Sequence, residues 1–172
     1  MSKPYQRTAP AMFVAKPAGL LICFVLSLVG FSGIALATPP SGFTSAIVGF
    51  GTFDEMLVVN AGDAKVKISS KGTVDVYTLR NTFIPGGYIG WHKHPGPSLV
   101  TVMSGTATLY AGDDPSCTPQ TFSAGAGFID GGDDIHNVRN EGAEDLVLVV
   151  MSIVPEGATR KIDVPSPGNC PF

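Results

Sequence analysis

The sequence predicts one all-β domain, a sandwich or barrel, behind an N-terminal export segment. Three observations predict it. The body of the chain is a succession of short runs rich in β-branched and aromatic residues. Clusters of Gly, Pro, Asn and Asp separate those runs at short intervals. No stretch beyond the N-terminal segment carries the apolar period of an amphipathic helix of useful length.

Taken in order, the first element is residues 1–37 of the 172. It carries Lys3, Arg7 and Lys16 and no acidic residue. An apolar run from Gly19 to Ala37 follows and ends in Ala35-Leu36-Ala37. A positive start, an apolar middle and a small-residue end make a secretory signal, cleaved between Ala37 and Thr38. Cleavage there releases a secreted or periplasmic protein. The alternative is an uncleaved membrane anchor, because the run approaches the spanning length of about 20 residues. Removal of the segment leaves all 14 acidic residues and eight of the 11 basic ones. No basic patch remains to hold a nucleic-acid backbone, so a nucleic-acid partner is excluded.

Residues 38–45, "TPPSGFTS", read as a flexible lead-in, and residues 38–60 as that lead-in plus a first strand region. Within it "TFDEMLVV" at 52–59 is compatible with a helical turn. The main body spans 61–172. "KVKIS" at 65–69 alternates, with Val66 and Ile68 on one face. "TVDVYTLRNTFI" at 73–84, "SLVTVMS" and "TATLYA" on either side of Gly105, and "DLVLVVMSIV" at 145–154 are the remaining clear strands. Two cysteines lie beyond residue 37, Cys117 and Cys170. In an exported chain an even pair reads as a disulfide, here tying the Pro/Gly-rich tail "PSPGNCPF" to a loop of the body.

The chain holds three histidines. His92 and His94 stand two apart in "GGYIGWHKHPGPS", so on a strand both imidazoles leave by the same face. His136 follows 42 residues after His94, just past the turn "DGGDD". If its strand lies across from the first pair, three nitrogens converge, and neutral imidazole is a common ligand of divalent transition metals. On the same parity Ser98, Val100 and Val102 face the histidines. So does Tyr88, unless Gly90 introduces a bulge. Trp91 faces the other way, to pack on a neighbouring strand or subunit. Asp130, Asp133 and Asp134 form an acidic turn that reads as a solvated hairpin or, alternatively, a calcium loop. Asn140 reads as a turn-fixing residue.

These spacings resemble the two motifs of the cupin superfamily. Gly86, five residues, His92-x-His94 and Gly105 fit the first; Gly125, His136 and Asn140 fit the second. Ser98 stands where the first motif places a glutamate, and Gly131 and Asp133 where the second places proline and glycine. The resemblance implies a double-stranded β-helix (jelly-roll) barrel. It also implies one divalent metal ion (iron, manganese, zinc, nickel or copper) on His92, His94 and His136, with Ser98, Tyr88, Val100 and Val102 lining the pocket. It allows a homodimer. Function stays open among three readings. One is a metal-dependent small-molecule enzyme, such as an oxidoreductase of dioxygenase type. The others are a non-catalytic cupin that binds a metal or small ligand, and a metal-free structural barrel. No obvious general base accompanies the histidines.

Overall fold

The structure is a computed structural model, and it describes residues 36–172 apart from 60–62 and 64. The signal segment therefore lies almost wholly outside the described residues. Among the described residues no helix is long and apolar enough to cross a membrane.

Twelve strands follow in chain order: β1 (Ser41–Phe53), β2 (Leu57–Val59), β3 (Lys67–Ser69), β4 (Val74–Tyr88), β5 (His92–Lys93), β6 (Ser98–Ser104), β7 (Thr106–Ala111), β8 (Gln120–Ser123), β9 (Gly127–Asp130), β10 (His136–Arg139), β11 (Leu146–Pro155) and β12 (Ile162–Asp163). There is no helix among the described residues. All but β2 and β3 join one ten-stranded antiparallel sheet, which curls into the jelly roll. One side runs β1-β4-β11-β6-β9 and the other β12-β5-β10-β7-β8. At its far end β4 also meets β10, through Arg139 and Tyr88.

Two expectations need correction. The lead-in shrinks, because Ser41–Thr44 already belong to β1 and pair with Tyr88, Phe83 and Thr82 of β4. Backbone pairing with a long neighbour decides this stretch, which its Gly-containing sequence left ambiguous. The segment 52–59 makes no helical turn. Phe53 ends β1 and Leu57–Val59 pair with Lys67–Ser69 in a separate ribbon. The alternation of Val66 and Ile68 is real but not a core signal, since both are exposed.

The core follows from period-2 alternation. Along β6, Ser98, Val100 and Val102 are buried while Leu99, Thr101 and Met103 are exposed. On β11, Leu148, Val150, Ser152 and Val154 point inward. Of these, Val100, Val102, Leu148 and Val150 fill the barrel with Leu79, Phe83, Ile89, Ala107, Val138 and Leu146. Trp91 is fully buried on the opposite side of β5, against Tyr110 and Cys170. Packing within the chain is thus its role. Cys117 and Cys170 form the expected disulfide, with Cα atoms 5.2 Å apart.

Candidate metal centre

Two tight turns bring the histidines together. After His94 the chain reverses through Pro95-Gly96-Pro97, and a side chain at Gly96 would meet the Ile153 carbonyl at 2.2 Å. The "DGGDD" turn docks on it: the His94 amide donates to the Gly132 carbonyl at 3.0 Å. Beyond that turn β10 begins, and His136 sits directly opposite His92 in the β5–β10 register. All three imidazoles are buried, with ring centroids 4.3–5.3 Å apart. One nitrogen from each lies within 4.8 Å of the others.

The ring tautomers are fixed by the backbone. Nδ1 of His92 lies 2.8 Å from the Gly90 carbonyl, Nδ1 of His94 2.7 Å from that of Arg160, and Nδ1 of His136 2.8 Å from that of Asp134. A carbonyl can only accept, so each Nδ1 carries the proton and donates. Each Nε2 is left with a free lone pair, the form in which imidazole binds a metal. Burial is the main force lowering the His92 pKa, to about 2, and the charges that His136 and His94 would carry add to it. His94 is lowered as well, again by burial first. For His92 and His94, protons therefore compete little for the lone pairs at ordinary pH.

That shift predicts acid sensitivity of the metal-free protein. A histidine whose folded value lies below the usual 6.5 takes up its proton in the unfolded chain first. Stability is full above about pH 6.5 and falls as pH drops below it. His92 alone contributes a loss of about 1.4 kcal/mol per pH unit. Urea midpoints of chelated protein should fall clearly between pH 7 and pH 5. Equal midpoints would show that His92 is not held neutral.

A cavity of about 30 Å³ opens beside the triad. Ser98, Val100, Phe83, Ile89 and Phe128 help line it, together with Asn81, Asp130 and Arg160. Ser98 and Val100 are where the sequence puts them. The Ser98 hydroxyl is within hydrogen-bond distance of that of Ser152, 3.0 Å away. Val102 points inward, yet it lies in the core and does not line the cavity. Tyr88 is absent from the cavity; its ring lies 5.0 Å beneath the Arg139 guanidinium. Gly90 is the reason. Its φ of +84° breaks the strand's alternation, and Ile89 takes the inward place. A side chain at Gly90 would also strike the Thr38 carbonyl at 2.1 Å.

Three polar lining residues escaped the sequence reading. Asp130 belongs to the acidic turn but is not solvated with it. It is buried, with Oδ2 3.1 Å from Nε2 of His94 and 3.2 Å from Nε2 of His136. Only Asp133 and Asp134 are exposed, and Asp133 pairs with Lys93 at 3.2 Å. A strict alternation count from Ser98, carried across the β6–β9 pairing, would have found Asp130. Asn81 is buried with its Oδ1 unpaired. Arg160 comes from the loop between β11 and β12, where no local signal marks it. Asn140 is the turn anchor expected: its amide donates to the Phe83 and Glu144 carbonyls and accepts from the Gly142 amide.

The donor set fits a metal ion. Two Nε2 lone pairs and a carboxylate oxygen face one another with no donor between them, an arrangement that a cation satisfies. Fold and site together define a jelly-roll barrel with a three-histidine cluster on its inner wall that could hold a metal ion. Residues 79–152 match the family model for the cupin domain, and the barrel resembles the cupin superfamily. No curated protein matches the chain. Among solved structures it is similar to an uncharacterised conserved protein with a double-stranded β-helix domain from Klebsiella pneumoniae, at 24% identity over 52% of this chain and 75% of that one, with a TM-score of 0.44. A cupin domain from Bordetella pertussis shares 26% identity over 45% of this chain and 80% of its own, with a TM-score of 0.40. An oxalate oxidase shares 24% identity, with a TM-score of 0.40; the match covers 47% of this chain but only 46% of that enzyme.

Proposed function

We propose that the protein is an exported metal-dependent enzyme of dioxygenase type that acts on a small anionic molecule. The observation that carries the metal is the set of three Nδ1–H···O=C bonds, which leave the three Nε2 atoms to converge on one place. His92, His94 and His136 would hold a divalent transition metal, which would supply Lewis acidity to the reaction. The chain's own residues supply the rest. Arg160 is half-buried and lines the cavity, and its guanidinium suits a carboxylate. The unpaired Oδ1 of Asn81 accepts from a hydroxyl or amide of the guest. Apolar walls from Phe83, Val100, Phe128 and Val150 exclude water, and the small volume admits only a few heavy atoms. Export is supported by the N-terminal layout and by the disulfide.

The test is oxygen uptake by protein loaded separately with Fe(II), Mn(II) and Cu(II), across a panel of two- and three-carbon acids. Uptake with at least one acid is expected, lost in His92→Ala. Arg160→Ala should raise KM about 10- to 100-fold, the loss of one charged hydrogen-bond pair. Full metal occupancy without turnover of any acid would reject the reading. The narrow cavity favours a second reading in that case, a binding protein in which a small anion displaces the metal's waters without reaction.

A further inference from the structure

Asp130 and Ser98 are direct partners in the β6–β9 ladder. Side chains of directly opposed residues share one face, with Cβ atoms about 5 Å apart. A carboxylate rooted at either position therefore enters the same space above the histidines. Ser98 brings no negative charge to that space, and its hydroxyl is within hydrogen-bond distance of that of Ser152, 3.0 Å away. Asp130 is aimed at it. Its Oδ1 accepts from the Gly132 amide at 3.1 Å, which fixes the carboxylate plane. Its Oδ2 then stands 3.1 Å from Nε2 of His94 and 3.2 Å from Nε2 of His136. Those separations match ligand atoms on neighbouring positions of one metal: bonds of about 2.1 Å place such atoms about 3.0–3.4 Å apart.

We propose that Asp130 is the carboxylate ligand of the metal centre, supplied from β9 in the place that Ser98 leaves open on β6. The inference rests on the metal-centre reading above. It changes the site from three neutral donors to three plus one negative charge, which favours harder ions such as Mn(II) and Fe(II) over a purely imidazole set.

The test compares wild type, His136→Ala and Asp130→Asn in competition titrations with Mn(II) and Zn(II), with the visible spectrum of the Co(II)-loaded proteins as a second readout. Asp130→Asn should lose about 10- to 100-fold in Mn(II) affinity, much less in Zn(II) affinity, and should shift the Co(II) bands. Unchanged Mn(II) affinity and an unchanged Co(II) spectrum in a folded Asp130→Asn protein would overturn the assignment of Asp130 alone. A wild type that binds neither ion would overturn the metal centre itself. Where Asp130→Asn does not fold, the exchange Ser98→Glu with Asp130→Ser decides. Mn(II) affinity within about tenfold of wild type supports a carboxylate ligand in this space, and its loss in the folded exchange variant overturns it.

Discussion

His136→Ala is expected to abolish stoichiometric metal binding, lowering affinity by more than about 100-fold, while leaving the barrel folded. The reason is geometric. His136 is the sole histidine on β10, and it faces His92 across the ladder, with ring centroids 4.3 Å apart. Removing it leaves His92 and His94 on one short stretch of chain and takes away the only imidazole that reaches the ion from β10, so the Asp130 carboxylate faces a broken imidazole set. The consequence for stability is equally specific. Metal that binds only the folded state stabilises it by RT ln(1 + [L]/Kd), about 4 kcal/mol at a thousandfold excess over Kd. For a domain of this size that is a rise in Tm of roughly 10–15 °C. Wild type should show the rise on adding metal and His136→Ala should not. Elemental analysis together with thermal scans, with and without chelator, checks both halves. Equal metal content in the two proteins would remove the site.

The legibility of the site tracks the range of the interactions that build it. His92 and His94 were readable because strand alternation is a local rule, and a two-residue spacing obeys it wherever the strand lies. His136 was readable only as a conditional, since its partnership with His92 depends on which strands pair. The spacing from Gly125 to Asn140 supplied that condition. Tyr88 failed on the one local feature able to defeat alternation, a glycine in the left-handed region at Gly90. Asp130 was misread for a different reason. Composition assigns "DGGDD" to solvent as a unit, whereas the end of β9 falls within it and turns its first aspartate inward. Arg160 was invisible because a loop residue reaches the cavity through tertiary placement alone. The fold was more legible than the site. β4, β6, β7 and β11 each carry their own hydrophobic pattern, while β5, β8, β9, β10 and β12 are two to four residues long. Strands that short form because their neighbours hold them.

Reduction of the Cys117–Cys170 bond, or the pair Cys117→Ser with Cys170→Ser, is expected to destabilise the protein by about 4 kcal/mol. That is the loop-closure entropy for cysteines 53 residues apart. Contacts around the bond argue that most of this is realised. Asp114 accepts the Ser116 and Thr118 amides, which shapes the loop before the bond forms. Asn169 donates to the Ala111 and Asp114 carbonyls, holding the tail at the same place. The tail then covers Trp91: Cys170 packs on the indole, and the Phe172 ring stacks 6.5 Å from it with the Arg139 guanidinium 4.0 Å above the same ring. Without the bond this apolar cluster holds on to a terminus free to fray. Trp91 is the residue before His92, but its side chain lies on the other face of β5, so the loss should fall on stability far more than on metal affinity. Urea unfolding with and without reductant gives the first quantity. The indole fluorescence reports tail release directly, as the chain has a single tryptophan. A reduced protein with an unchanged urea midpoint would mean that the tail is held by its packing alone.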